Sequence, residues 1–138
     1  MDLNNHIFLK YIAEKKVPII LSTGMGTEKE IYRAVKVLKD NGQNKICILH
    51  CVSLYPMDHE IANLKNISML RKKFKNIPIG YSDHSIGSIL PVAAISLGSC
   101  LIEKHFSLNK KTLDGEFSLG PKDFLTLSKK IKDYFHNS

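Results

Sequence analysis

The sequence predicts an α/β fold built from parallel βα units, and three observations carry that expectation. Four short apolar runs rich in Ile, Leu and Val recur between stretches of helical periodicity. The runs are continuous rather than alternating, the pattern of strands buried on both faces and hence of a parallel sheet. Polar residues crowd the C-terminal ends of all four runs, where (βα) barrels keep their chemistry.

Each element has its own signal. Ile7 to Lys15 reads as the tail of a helix, and Val17 to Ser22 as the first strand. After Gly24-Met25-Gly26, Thr27 and Glu30 form a capping box, and Ile31, Ala34, Val35 and Leu38 share one helical face until Gly42 ends the helix. Lys45 to Cys51 is the second strand, followed by a helix that spaces Leu64, Ile67, Leu70 and Phe74 at intervals of three and four. Ile77 to Tyr81 is the third strand, and the next helix runs from about Ser88 to Leu97 with Gly98 as its stop. Cys100 to Glu103 is the fourth strand. A last helix opens at Pro121, a good first-turn residue, and is expected to carry Phe124, Leu127, Ile131 and Tyr134 inward. No glycine-rich fingerprint follows the first strand, which removes the best evidence for a doubly wound dinucleotide fold. The order is one helix and then four βα units, half of a TIM (βα)8 barrel, which needs about 250 residues.

Composition bounds the function. A chain of 138 residues, 43% hydrophobic and 24% charged, suits one globular domain. The net charge of +7 favours anionic partners such as phosphates and carboxylates. With no Trp and no interleaving of basic and aromatic residues, nucleic acid is not expected as a partner. The pairs Lys15-Lys16, Lys72-Lys73 and Lys129-Lys130 read as solvated helix faces or ends. The longest apolar stretch, Ile89 to Leu97, is broken by Pro91 and Ser96 and falls far short of the roughly 20 residues of a membrane span. Three cysteines (Cys47, Cys51 and Cys100) without a CxxC spacing, and a start without a basic, apolar leader, point to reduced, mostly buried thiols in a cytoplasmic protein.

Alternation along a strand sorts the candidate residues. Ser82 and His84 point one way and Tyr81 and Asp83 the other, and Glu103 and His105 share a face that Lys104 does not. His84 and His105, one βα unit apart at strand ends, suit a divalent metal with open positions, although a single histidine is more often a hydrogen-bonded structural residue. His50 sits deeper in its strand and reads as a satisfied core residue, and His6, His59 and His136 as surface residues. Asp114, in the polar loop Asn109 to Ser118, either holds a sugar hydroxyl or belongs to a solvated connection.

Four ordered strand-end motifs carry a resemblance. Ile20-Leu21-Ser22-Thr23-Gly24-Met25, His50-Cys51-Val52-Ser53-Leu54-Tyr55-Pro56, Gly80-Tyr81-Ser82-Asp83-His84-Ser85-Ile86-Gly87 and Ile102-Glu103-Lys104-His105-Phe106 resemble those of the sialic acid synthase family, which makes N-acetylneuraminate, legionaminate and pseudaminate. The resemblance runs from about Leu9 to Phe124. It implies a barrel that condenses phosphoenolpyruvate with an N-acetylated amino sugar in its aldehyde form, similar to N-acetylmannosamine, to give a nonulosonic acid and phosphate. It implies a divalent metal on His84 and His105, manganese with magnesium as the alternative, and phosphoenolpyruvate or active-site contacts from Ser22, Tyr55 and Ser82. Ser53 is a further hydroxyl that can donate to the substrate's anionic oxygens. Glu103 matches an active-site carboxylate and is the expected base for water activation, and Asp114 matches a sugar contact. The loop Thr112-Leu113-Asp114-Gly115 departs from the family's Gly-Pro-Asp turn. Residues 1–138 are then expected to comprise the last helix of the front half and four βα units, without the first half of the barrel or the C-terminal antifreeze-like domain of a full-length homodimer. Two rivals are a different phosphoenolpyruvate-condensing 3-deoxy sugar-acid synthase, and a catalytically inactive half-barrel that serves as an assembly partner.

Overall fold

The computed structural model describes residues 2–136; Met1, Asn137 and Ser138 of the expected 1–138 unit lie outside the described residues. The elements are α1 (His6–Ala13), β1 (Ile19–Ser22), α2 (Glu28–Asp40), β2 (Ile46–Cys51), a 3-10 turn (His59–Ile61), α3 (Lys65–Lys73), β3 (Ile79–Asp83), α4 (Ile89–Ser96), β4 (Ile102–Lys104) and α5 (Pro121–His136). The four strands are all parallel, in the order β1-β2-β3-β4. This curled sheet with helices along one face is half of a (βα)8 barrel, as the residue pattern predicts.

Register gives the sheet two unequal faces. Ile19, Leu21, Ile46, Ile48, Ile79 and Tyr81 face the helices and form one core with Ile31, Ala34, Val35 and Leu38 of α2 and Ile67 and Leu70 of α3. Each fully buried Ile, Leu or Val among them contributes about 1.5–3 kcal/mol of transfer free energy. The other face carries Ile20, Cys47, Leu49, Cys51, Gly80, Ser82 and Glu103, and there Ile20 is 53% exposed.

The capping box is present as expected. The Thr27 hydroxyl accepts from Glu30 N–H, and the Glu30 carboxylate accepts from Thr27 N–H at 2.7 Å. Those hydrogen bonds hold the Glu30 carboxyl below its ordinary range. At the end of α4, Gly98 adopts φ +91°, a left-handed conformation that closes the helix.

Several details differ from the sequence reading, among them the last strand, which runs Ile102–Lys104 where Cys100 to Glu103 is expected. The third strand begins at Ile79 rather than Ile77, because Ile77 N–H still bonds to Phe74 O in the turn after α3 and Pro78 has no N–H to give. In α5 only Leu127 is buried. Phe124 and Tyr134 stay 40% and 39% exposed, and Ile131 is half-buried. α5 packs on the single short helix α4 and so covers a narrower stripe than its apolar periodicity offers. The cysteines are free, with Cys51 buried, Cys47 half-buried and Cys100 exposed rather than inside. Burial, with the Cys100 thiol beside it, pushes the Cys47 thiol up to about 11. Among the described residues no helix is long and apolar enough to cross a membrane.

Candidate active site

The alternation of β3 and β4 decides what meets at the strand ends. Ser82 is register partner to Glu103, and its hydroxyl donates to Glu103 Oε1 at 2.6 Å. The Ser82 Oγ also lies 3.3 Å from His84 Nε2. Its one proton goes to the closer, charged acceptor. His84 Nδ1 lies 2.6 Å from the Val52 carbonyl, an acceptor only, so Nδ1 carries the hydrogen and Nε2 keeps its lone pair. Burial pushes the His84 pKa down, favouring the neutral ring.

His105 stands beside it. The two ring centroids are 5.5 Å apart, with planes at 77°. Tyr55 lies over His84 at 4.1 Å and meets His105 edge-on at 5.7 Å. Phe117 closes the far side, 4.9 Å from His105 and 5.8 Å from Tyr55. Phe117 reaches this place because the loop after β4 folds back along the strand end: Leu119 N–H donates to His105 O at 2.8 Å, and Ser107 N–H to Leu119 O at 3.0 Å. Asp114, in that loop, brings Oδ2 to 3.5 Å from His105 Nδ1.

Not every expected residue joins this cluster. Ser22 is half-buried at the end of β1 and makes no hydrogen bond to the histidines. Ser53 lines a neighbouring groove of about 430 Å³ with Thr23, Met25, His50 and Leu54. His50 is the satisfied core residue its position suggests, buried, with Nε2 2.7 Å from the Ala62 carbonyl, and burial lowers its pKa. His59 is exposed. Phe117 and the Val52 carbonyl belong to the site yet escaped the sequence reading. An aromatic residue inside an otherwise polar loop was the only signal for the first, and a backbone acceptor leaves none.

As a metal site the arrangement is partial but chemically suited. His84 offers a neutral imidazole with its outer nitrogen fixed by a carbonyl, the common state of a metal-ligating histidine. His105 stands beside it, its ring centroid 5.5 Å away. Among the described residues no group of three or more His, Cys, Asp or Glu side chains is gathered for a metal ion.

Comparison with known proteins places the chain in a family. The model of the NeuB family matches residues 1–137. The chain belongs to the NeuB family. It is 38% identical over 135 residues to an N-acetylneuraminate-9-phosphate synthase of Drosophila melanogaster, covering 96% of this chain and 36% of that protein. It is 41% identical over 125 residues to a pseudaminic acid synthase of Campylobacter jejuni, covering 89% of this chain and 36% of that protein. A solved N-acetylneuraminic acid synthetase of Leptospira borgpetersenii, in complex with citrate, superposes with a TM-score of 0.92 at 36% identity, covering 96% of this chain and 46% of that one. The chain therefore spans between about a third and a half of the length of these NeuB relatives.

Proposed function

We propose that this chain supplies the histidine-bearing half of an active site that condenses phosphoenolpyruvate with an N-acetylated amino sugar, in a cytoplasmic synthase of nonulosonic acids. The observation that carries the reading is His84. Its Nδ1–H is committed to Val52 while Nε2 stays open beside His105 and the Ser82–Glu103 pair.

In this reading the enol carbon of phosphoenolpyruvate forms a bond to the sugar's aldehyde carbon, water adds to the resulting cationic carbon, and phosphate leaves to give the 2-keto acid. A divalent ion held by His84 and His105, manganese or magnesium, would act as the Lewis acid for the aldehyde oxygen. Glu103 takes the proton of the attacking water through the carboxylate oxygen that Ser82 does not occupy. The Ser82 hydroxyl orients that carboxylate. Ser22 and Ser53, set apart from the histidine cluster, are the expected donors to the anionic oxygens of phosphoenolpyruvate. Tyr55 and Phe117 flank the histidines with aromatic rings, and Asp114 takes a sugar hydroxyl beside His105.

Calorimetric titration with manganese(II) tests the metal half of this reading. The wild-type chain is expected to bind and His84→Ala with His105→Ala to lose binding; equal affinity in the two overturns the assignment. A second reading, a half-barrel that acts by pairing with another chain, draws on the 53% exposure of Ile20 on the inner face.

A further inference from the structure

The helix-facing side of the same strand ends carries a second polar cluster. Lys104 Nζ lies 2.7 Å from Asp83 Oδ2, with the two side chains 1% and 0% exposed. Asp83 Oδ1 accepts from the Tyr81 hydroxyl at 3.1 Å, from the Ser85 hydroxyl at 2.8 Å and from Ser85 N–H at 3.2 Å. The Lys104 ammonium also donates to the Ser85 carbonyl. Every polar group of Ser85 is thus tied to one ion pair.

Such a pair is weak evidence of a stability device, since well-packed apolar residues in its place are often neutral or better. Its position suggests another role. Asp83 and Lys104 are register partners, and each immediately precedes a histidine of the site. Ser85, which the pair grips at N–H, carbonyl and hydroxyl, immediately follows His84. His84 is pinned further by Met57 N–H on its carbonyl at 3.0 Å and by Val52 on its ring. On β4, a Lys104 head group locked in the helix-facing layer holds Glu103 and His105 on the opposite face. Displacing the backbone at either histidine would have to strain a buried charge-assisted contact of its neighbour.

We propose that the buried Asp83–Lys104 pair is a positioning device that fixes His84 and His105 relative to each other, acting through Ser85. What the histidines are positioned for rests on the function proposed above; that they are positioned does not. The prediction is a loss of orientation without loss of fold when the pair is removed as a unit.

The test uses Asp83→Asn with Lys104→Met, which leaves no orphan charge, and Ser85→Ala, which deletes a single hydroxyl and is the milder change. Ile67→Val, deep in α3, serves as a destabilised control. Without metal, NMR reads the His84 ring protons, whose shifts report the Tyr55 ring 4.1 Å away and tilted by 32°. In the double variant these shifts are expected to move at least halfway to free-histidine values, with a smaller move in the same direction for Ser85→Ala and none for Ile67→Val. Manganese(II) affinity is expected to fall about tenfold or more in the double variant, the usual size of a supporting-partner effect. A folded double variant with wild-type His84 shifts overturns the proposal. If it does not fold, unchanged shifts in Ser85→Ala do so instead. Absence of manganese binding in the wild type removes the metal reading alone, and the ring shifts still decide the positioning role.

Discussion

Substituting Gly80→Ala places one methyl group where the sheet has no room for it. A Cβ at this position would meet Leu49 Cδ2 at 2.4 Å, the Leu101 carbonyl oxygen at 2.7 Å and Leu101 Cβ at 3.1 Å. The Leu49 tip can turn away, but the Leu101 oxygen is backbone and already accepts from Tyr81 N–H at 2.8 Å. Relief therefore requires β3 and β4 to separate. Overpacking of this kind costs about 1–3 kcal/mol. With an unfolding entropy of about 2.1 cal/mol/K per residue, a mid-range loss of about 2 kcal/mol in a chain of this size lowers Tm by roughly 7 °C. Differential scanning calorimetry measures this directly. Because the strain falls two residues before Ser82, the Ser82–Glu103 contact across the same strand pair should loosen with it. Combining Leu49→Val with Gly80→Ala should recover only part of the loss. A Tm within 1 °C of wild type would show that the strands absorb a methyl group and refute the close-approach argument.

Stability should also fall as pH drops from about 7.5 to about 5.5. His50 and His84 are both held below the ordinary histidine value by burial, so in the window beneath about 6.5 the unfolded chain binds the protons that the native chain refuses. Their contribution is full above that window and is lost as pH falls through it, at no more than about 1.4 kcal/mol per pH unit for each ring. A urea midpoint that stays flat over this range would contradict it. At micromolar concentration the chain should self-associate and release no phosphate from phosphoenolpyruvate with N-acetylmannosamine, because β1 and β4 are open edges and the inner face exposes Ile20. A stable monomer by light scattering, or measurable turnover, would count against it.

The parts of the fold legible in the residue pattern are those written in local chemistry. The Thr27 and Glu30 pair marks the start of α2 because a capping box is satisfied within four residues. The two-residue period of β3 and β4 separates Ser82 and His84 from Tyr81 and Asp83, a division that the hydrogen bonds respect. What escaped needed more distant information. Phe124 and Tyr134 are periodic but exposed, because periodicity says which face is apolar and not whether a neighbour covers it. The place of Phe117 depends on Leu119 returning to pair with His105 and Ser107, a contact across the loop. The Lys104–Asp83 pair depends on the β3–β4 register, which neither strand specifies alone.

The division of labour between the two faces explains how a site with open access can still be ordered. Glu103 is exposed, and the His105 side chain is 30% exposed. Surface side chains of this kind ordinarily sample several rotamers, and ion pairs among them hold little. Here the ordering contacts lie out of reach of solvent. Asp83, Lys104, Tyr81 and Ser85 form a closed network on the dry face, and each alternates with a residue of the reactive face. Because successive side chains of a strand leave on opposite sides, locking one set holds the backbone and so fixes the positions from which the other set projects. The histidine face can then stay open to solvent while its backbone is held from behind.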